Sequence, residues 1–477
     1  MTSSGPHKGT VLIYSIHRTE PWWRAVGNSL GFERAVIVSD LRGDGDYCVA
    51  DDFNAAMRTR YRAGETHSAL LSAEQLNDII ARCRVLRSLP RRRAVAMALA
   101  MADAFDRLFD IVQPVALLCF PVDRYISDVF ERLAKARGIR LFELTPGVIP
   151  GTSMLLYRGK LIKRMAAPDP AEVEAAMKIV ANTSYVPAYV PSKIKYSAWR
   201  FLKIFSYFRL RGWAFKALAY RHRDPWNLHF VDAQSYLIHK PRLSDVRITW
   251  LVDRNWRDQL ARFPKAKRLF IALPLFPEAS IDYWLESLDL IDYEARVIEI
   301  AQLFSDAGFL VLVKDHPLQF GFRQTGLIDR FKAIKNVVIV PYEVSGNEML
   351  SLVDTHFTTT GTLGLQAALF GMKSIVTESF YSTPEDFIFL RSRSQLPQLL
   401  GLVEAATPPD SLHDRQYRVV ENFLRGTINE DLYSRENFDI NKVPPQIAAM
   451  GKVLGDTIEA LGPNGEDWHG RLWRGEI

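Results

Sequence analysis

The strongest constraint on this chain is a rhythm between residues 268 and 378. A short apolar run ends in a polar cluster, a helical stretch follows, and the pattern restarts. The runs are Leu269–Leu275, Leu310–Lys314, Val337–Val340, Thr355–Thr359 and Lys373–Thr377. Runs of this length suit strands buried on both faces. Helices are predicted between them over Asp292–Asp306, Asn347–Val353 and Leu363–Phe370, with Gly308 and Gly371 as stops. Strands alternating with helices predict a Rossmann-like domain with a parallel sheet.

A similar pattern opens the chain. Val11–Ile16 and Ala35–Ser39 read as strands around a helix at Trp22–Leu30. Helices are expected between about 73 and 110. Pro114–Phe120 reads as a buried strand, Asp123–Gly138 as a helix and Arg140–Leu144 as the next strand. A doubly wound parallel sheet is expected here too. The 477 residues have room for both domains and their connectors. The expected division is a first domain at 1–165, a helical connector at 166–265, a second domain at 266–390, and C-terminal helices at 391–477 with a less ordered end after Gly462.

Composition narrows the function classes. With 48% hydrophobic and 24% charged residues, a disordered, fibrous or disulfide-stapled chain is excluded. A net charge of +6 is too small over this length for a dedicated nucleic-acid binder. Cys48, Cys83 and Cys119 lack metal-ligand spacing, so no structural zinc is expected, and sparse thiols fit a reducing compartment. The opening MTSSGPHKGT is polar, and VLIYSI after it is too brief for a signal core. No uncharged apolar stretch of ~18 residues occurs. A cytoplasmic location is expected.

The segment Lys193–Arg223 is dense in cations and aromatics. It reads either as a helical connector packed against a domain or as a helix lying on an inner-membrane surface. Nucleic-acid binding is a weaker third reading.

Ligands of open α/β sheets bind at the carboxyl ends of strands. Four polar clusters fall there in the second domain: Pro277-Glu278-Ala279-Ser280, Lys314-Asp315-His316-Pro317, Thr360-Gly361-Thr362-Leu363-Gly364, and Glu378-Ser379-Phe380-Tyr381. The third precedes a helix. There Gly361 permits a tight turn, Thr362 is expected to cap, and backbone N–H groups would hold a phosphate. Alternatively it is an ordinary capped turn. His316 is a candidate donor to a phosphate or leaving-group oxygen, with Lys314 nearby. Glu278 is a candidate for a sugar hydroxyl, for developing positive charge, or for a helix cap. Gln366, one turn into the helix, either reaches a ribose hydroxyl or packs.

In the first domain, His17 and Glu20 follow the first strand, and Asp40, Arg42, Asp44 and Asp46 follow the second. A base that deprotonates an acceptor hydroxyl would come from such a loop, with His17 and Asp40 the leading candidates. Asp44 and Asp46, beside Gly43 and Gly45, read better as a solvated loop. Asp123, Arg124, Glu143, Thr145 and Gly147 are further candidates. No Ser-His-Asp elbow, Walker loop or HExxH helix occurs.

The strings LPLFPEAS, VLVKDHP, TTTGTLGLQAALFGMKSIV and ESFY, in that order, resemble the bacterial capsule polysaccharide biosynthesis family, which includes the Kdo transferases of capsule and lipopolysaccharide assembly. LFELTPGVIPGTSMLLYRGK in the first domain is similar to another family segment. Asp315 and Gln366 stand where the family often has Glu, and Ser382-Thr383-Pro384 replaces its aromatic-glycine motif. The resemblance implies a GT-B glycosyltransferase, with two Rossmann-like domains facing across a cleft. It implies that Lys314 and His316 contact a donor phosphate cradled by Thr360, Gly361 and Thr362, with Glu278 and Ser280 near the donor sugar. Gly364, Gln366, Glu378 and Tyr381 are counted with the donor site. The expected substrates are a nucleotide sugar and a surface-polysaccharide or lipid-linked glycan acceptor. No cofactor or metal is expected. A sugar-nucleotide epimerase, a polyol-phosphate transferase and a non-catalytic binding subunit are the alternatives on the same scaffold.

Overall fold

A computed structural model describes residues 7–16, 19–163, 167–182, 185, 196–221, 242–275, 279–377, 379–429, 447–461, 468 and 472. The chain forms two compact units. Among the described residues, the first holds everything up to Pro168 and everything from Phe423 on. The second holds Asp169 to Asn422, including what is described of the segment 169–265.

The first unit is built on an eight-stranded sheet. Its strands are β1 (His7–Ser15), β2 (Phe32–Ser39), β3 (Tyr47–Cys48), β4 (Ala116–Cys119), β5 (Arg140–Pro146), β6 (Ser153–Tyr157), β7 (Lys160–Leu161) and β14 (Thr427–Ile428). The order β3-β2-β1-β4-β5 is wholly parallel, the Rossmann arrangement expected. Beyond β5 the sheet departs from expectation: β6, β7 and β14 all join antiparallel. Pro146-Gly147 does not end the sheet; it leads into a hairpin closed by Gly147 N–H donating to the Thr152 carbonyl at 2.8 Å. A Cβ at Gly147 would stand 1.8 Å from Thr152 Oγ1, so this position has room only for glycine. The helix Ile447–Ala460 packs on the helix Glu20–Ser29. Gly451 and Gly455 make that approach possible, because a Cβ at Gly455 would meet the Leu30 carbonyl at 1.7 Å.

The second unit carries a six-stranded parallel sheet of β8 (Arg268–Ala272), β9 (Leu310–Lys314), β10 (Val337–Ile339), β11 (Thr355–Phe357), β12 (Lys373–Val376) and β13 (Ile388–Phe389). Its order is β10-β9-β8-β11-β12-β13. This is the Rossmann order, and it reverses between β8 and β11. Both faces are covered. Leu269, Ile271, Val311 and Val313 enter one apolar cluster, while Phe270, Ala272, Leu310 and Leu312 enter another. Alternation along each strand thus feeds two cores, which is why these strands read as continuous apolar runs. The strand read as Leu269–Leu275 ends at Ala272, and Leu273 N–H donates to the Lys314 carbonyl at 2.9 Å as the chain leaves the sheet. Among the described residues no helix is long and apolar enough to cross a membrane.

Candidate functional site

The switch point of the second sheet collects the predicted clusters. β9, β8, β11 and β12 are neighbours, and all end on the same side because they are parallel. Their carboxyl ends carry Lys314 and His316, then Ser280, then Thr358–Thr362, then Ser379 and Tyr381. Glu278 and Glu378 lie outside the described residues.

Lys314 is the last residue of β9 and is buried. Its Nζ donates to the Asp315 carbonyl at 3.2 Å, and burial pushes its pKa down to about 8. Asp315 serves the loop itself. Its carboxylate accepts from the His316 N–H at 2.8 Å, from Arg323 Nε at 2.8 Å and from the Tyr342 hydroxyl at 2.6 Å. Arg323 in turn donates to the Pro274 carbonyl at 2.8 Å, which ties the β9 loop to the chain leaving β8.

His316 takes a defined state from this frame. Its Nδ1 accepts the Leu318 N–H at 3.2 Å. A ring nitrogen that accepts carries no proton, so the neutral ring bears its proton on Nε2. Burial lowers its pKa to about 4. At neutral pH His316 is therefore an uncharged N–H donor, and Nε2 bonds to no described residue.

The loop after β11 is shaped from below. Gly361, not Thr362, is the N-cap of the helix Thr362–Leu369, and no side chain caps it. Thr362 is the first helical residue, a correction to its expected role. The uncapped start leaves N–H groups at the positive end of the helix without a side-chain acceptor. Tyr381 is fully buried and donates its hydroxyl to the Gly361 carbonyl at 2.7 Å. A Cβ at Gly364 would lie 2.6 Å from the Tyr381 hydroxyl and 2.8 Å from Val376 Cγ1, so glycine is required for the helix to seat on β12. Thr360 is buried beside them.

Three buried hydroxyls in this region, Ser280 Oγ, Thr359 Oγ1 and Ser379 Oγ, hydrogen-bond to no described residue. A buried polar atom without a partner is uncommon and calls for a ligand or solvent. Only Ser280 was singled out by sequence. Thr359 and Ser379 flank residues that were, and Arg323 and Tyr342 carried no spacing signal at all. Gln366 is placed differently from its ribose reading: its amide donates to the Tyr185 carbonyl at 2.9 Å, which Asn347 Nδ2 also reaches at 2.9 Å.

The first-unit candidates are scattered. His17 lies outside the described residues. Asp40 is buried and accepts from the Tyr14 hydroxyl at 3.2 Å. Glu20 pairs with Arg24, Arg42 with Asp51 at 2.6 Å, and Asp123 with Arg124 at 2.7 Å. Asp46 is exposed and Asp44 half-buried, and each accepts a hydrogen bond from the chain around it. Asp44 accepts from Ser39 Oγ at 3.2 Å, and Asp46 accepts the Ile37 N–H at 2.8 Å. Glu143 lies within β5 and is fully buried, while Thr145 belongs to the same strand and Gly147 to the hairpin. Glu143 accepts the Arg158 N–H at 3.1 Å, and burial raises its pKa to about 7. Among the described residues no group of three His, Cys, Asp or Glu is placed to hold a metal.

No protein family model matches the sequence, and no curated protein is similar to it. Among solved structures the chain is similar to the Thermosulfurimonas dismutans KpsC, a beta Kdo 2,4 transferase, at 13% identity over 73% of this chain and 88% of that one, with a TM-score of 0.37. It is also similar to the Methanocaldococcus jannaschii UDP-GlcNAc 2-epimerase, at 10% identity over 88% of this chain and 100% of that one, TM-score 0.26. A third is CalG4, the calicheamicin glycosyltransferase, at 12% identity over 88% of this chain and 95% of that one, TM-score 0.27. Likeness at this level says nothing of the chemistry.

Proposed function

We propose that the chain is a GT-B glycosyltransferase, its two Rossmann-like units dividing the work between acceptor and donor. It moves a sugar from a nucleotide-sugar donor to a hydroxyl of a glycan or lipid-linked acceptor in surface-polysaccharide assembly. The observation that carries this reading is the donor-rich set at the switch point of the second sheet. Lys314, the His316 Nε2–H, the uncapped N–H groups at Thr362 and the orphan hydroxyls of Ser280, Thr359 and Ser379 can all donate. The Asp315 carboxylate among them is already occupied by donors. Such a set suits a ligand rich in acceptor oxygens, and a nucleotide diphosphate is one.

Breaking the bond between sugar and phosphate builds negative charge on the departing phosphate. Fixed donors aimed at that charge lower the barrier. In this reading the Lys314 charge and the positive helix start offset the charge of the leaving nucleotide, in place of a metal ion, and the uncharged His316 donates its Nε2–H to it. Thr360, Gly361, Gly364 and Tyr381 shape the loop that presents them. Glu278 and Glu378 are assigned to the donor sugar and its nucleotide. The acceptor hydroxyl must lose its proton as it attacks, and Asp40 and His17 of the first unit are the proposed bases.

The test is nucleotide release from UDP-, GDP-, CMP- and CDP-linked donors, with and without oligosaccharide and lipid-linked acceptors. Release that depends on the acceptor supports the transferase. Conversion of a free nucleotide sugar to its epimer would make the site an epimerase. Transfer of a polyol phosphate would make it a polyol-phosphate transferase. Binding with no turnover on any acceptor would leave a binding subunit.

A further inference from the structure

We propose that the outward face of the helix Ala198–Arg221 docks on an anionic lipid surface. This helix has two apolar faces. Phe201 is fully buried in the core of the second unit, Ile204 and Phe205 pack against that core, and Phe208 sets its ring 4.8 Å from that of Phe322. Trp199, Leu202, Ser206, Leu210, Trp213 and Ala217 follow one another three or four residues apart, so they share a single face on the other side. That face is bare: Trp199 is 77% exposed, Leu210 72% and Trp213 78%.

The flanks identify the occupant. Lys203 and Arg209 are exposed on either side of this face, and no Asp or Glu occurs from Ala175 to Arg223. A protein partner would be met by mixed charges. Cations on both flanks of exposed tryptophans, with no acidic residue among them, match the layer where lipid headgroups meet acyl chains. Indole rings rest in that layer, and long cationic side chains reach back to phosphate. Exposed apolar area of this kind on a folded unit marks an interaction surface.

The inference rests on residues outside the sugar-transfer site, and its test reads lipid binding, not turnover. The full chain is mixed with vesicles of phosphatidylcholine alone and with about a third phosphatidylglycerol, then floated. Binding to the anionic vesicles is expected to exceed binding to the neutral ones at least tenfold and to weaken in high salt. The triple variant Trp199→Ser, Leu210→Ser, Trp213→Ser is expected to lose at least tenfold. Ile111→Ser, at an apolar residue 63% exposed on the first unit, is expected to lose nothing. Lys203→Gln with Arg209→Gln keeps every apolar side chain and is expected to abolish the preference for anionic lipid, so the question stays decidable if the triple variant folds poorly. Equal binding to both vesicles, or none by the parent protein, would overturn the proposal. So would a dimer of the parent chain that the triple variant converts to monomer, since the face would then belong to a second copy.

Discussion

At the level of single residues, His316 and Lys314 make opposite pH predictions. His316 is neutral down to about pH 4, so turnover is expected to show no inflection near pH 6.5, where a free histidine titrates. Lys314 loses its proton near pH 8. Its charge is present below that value, so donor affinity is expected to fall as pH rises past 8; a bound phosphate shifts the change upward. A profile of kcat/KM against pH checks both. His316→Ala is expected to lower kcat/KM by roughly 10²–10³, the effect of removing one donor to a developing anion. At Gly364, alanine would press on Tyr381 and Val376, with an expected loss of roughly 1–3 kcal/mol. Tyr381→Phe removes one of the clashing atoms, so a double-mutant cycle in denaturant is expected to show coupling. Glu143 is the reverse of His316. Its raised pKa means that folding favours the protonated acid, a contribution complete below pH 4.5 and lost as pH rises through about 7. Glu143→Gln is expected to gain stability over the parent at pH 8.5 and to match it at pH 4.5.

At the level of elements, the second sheet was legible because its strands are short, buried on both faces and ended by polar residues. Leu310–Lys314 is the plainest case, since its strand ends where its only charge begins. The helix starting at Thr362 was found for the same reason, but its cap was not: Gly361 caps by geometry, which composition does not reveal. In the first sheet the reading failed after Leu144. Thr145-Pro146-Gly147 has the composition of a strand-end loop, yet β5 continues to Pro146 and pairs back with β6, the turn closed by the Gly147 N–H on the Thr152 carbonyl. β14 lies far along the chain from its partner β6, and local pattern carries no trace of that pairing. Of the site, the clusters were legible while their support was not. Asp315 stands in one of those clusters, and no local pattern shows that its carboxylate is held by Arg323 and Tyr342. Removing Arg323 leaves that buried carboxylate without its ion-pair partner, held only by the His316 N–H and the Tyr342 hydroxyl. Arg323→Met is therefore expected to cost about 3–5 kcal/mol in chemical denaturation.

At the level of the whole molecule, two histidines of the second unit, the half-buried His316 and the buried His356, set an acid limit. His316 and His356 hold pKa values of about 4 and 3 when folded. In the unfolded chain each binds a proton near pH 6.5, so stability is expected to fall as pH drops from 6.5 toward 4, by up to roughly 1.4 kcal/mol per pH unit for each histidine. Glu143 opposes this between pH 4.5 and 6.5, so the decline steepens below 4.5. The central claim is that the second unit holds a nucleotide through the β9 loop and the helix at Thr362. Thermal unfolding of the parent protein and of His316→Ala, each with CMP, UDP, GDP and CDP, tests it most directly. One nucleotide is expected to stabilise the parent, by roughly 2.7 kcal/mol at a hundredfold excess over its Kd, and to stabilise the variant far less. Stabilisation of neither protein by any nucleotide, or of both equally, would contradict the account.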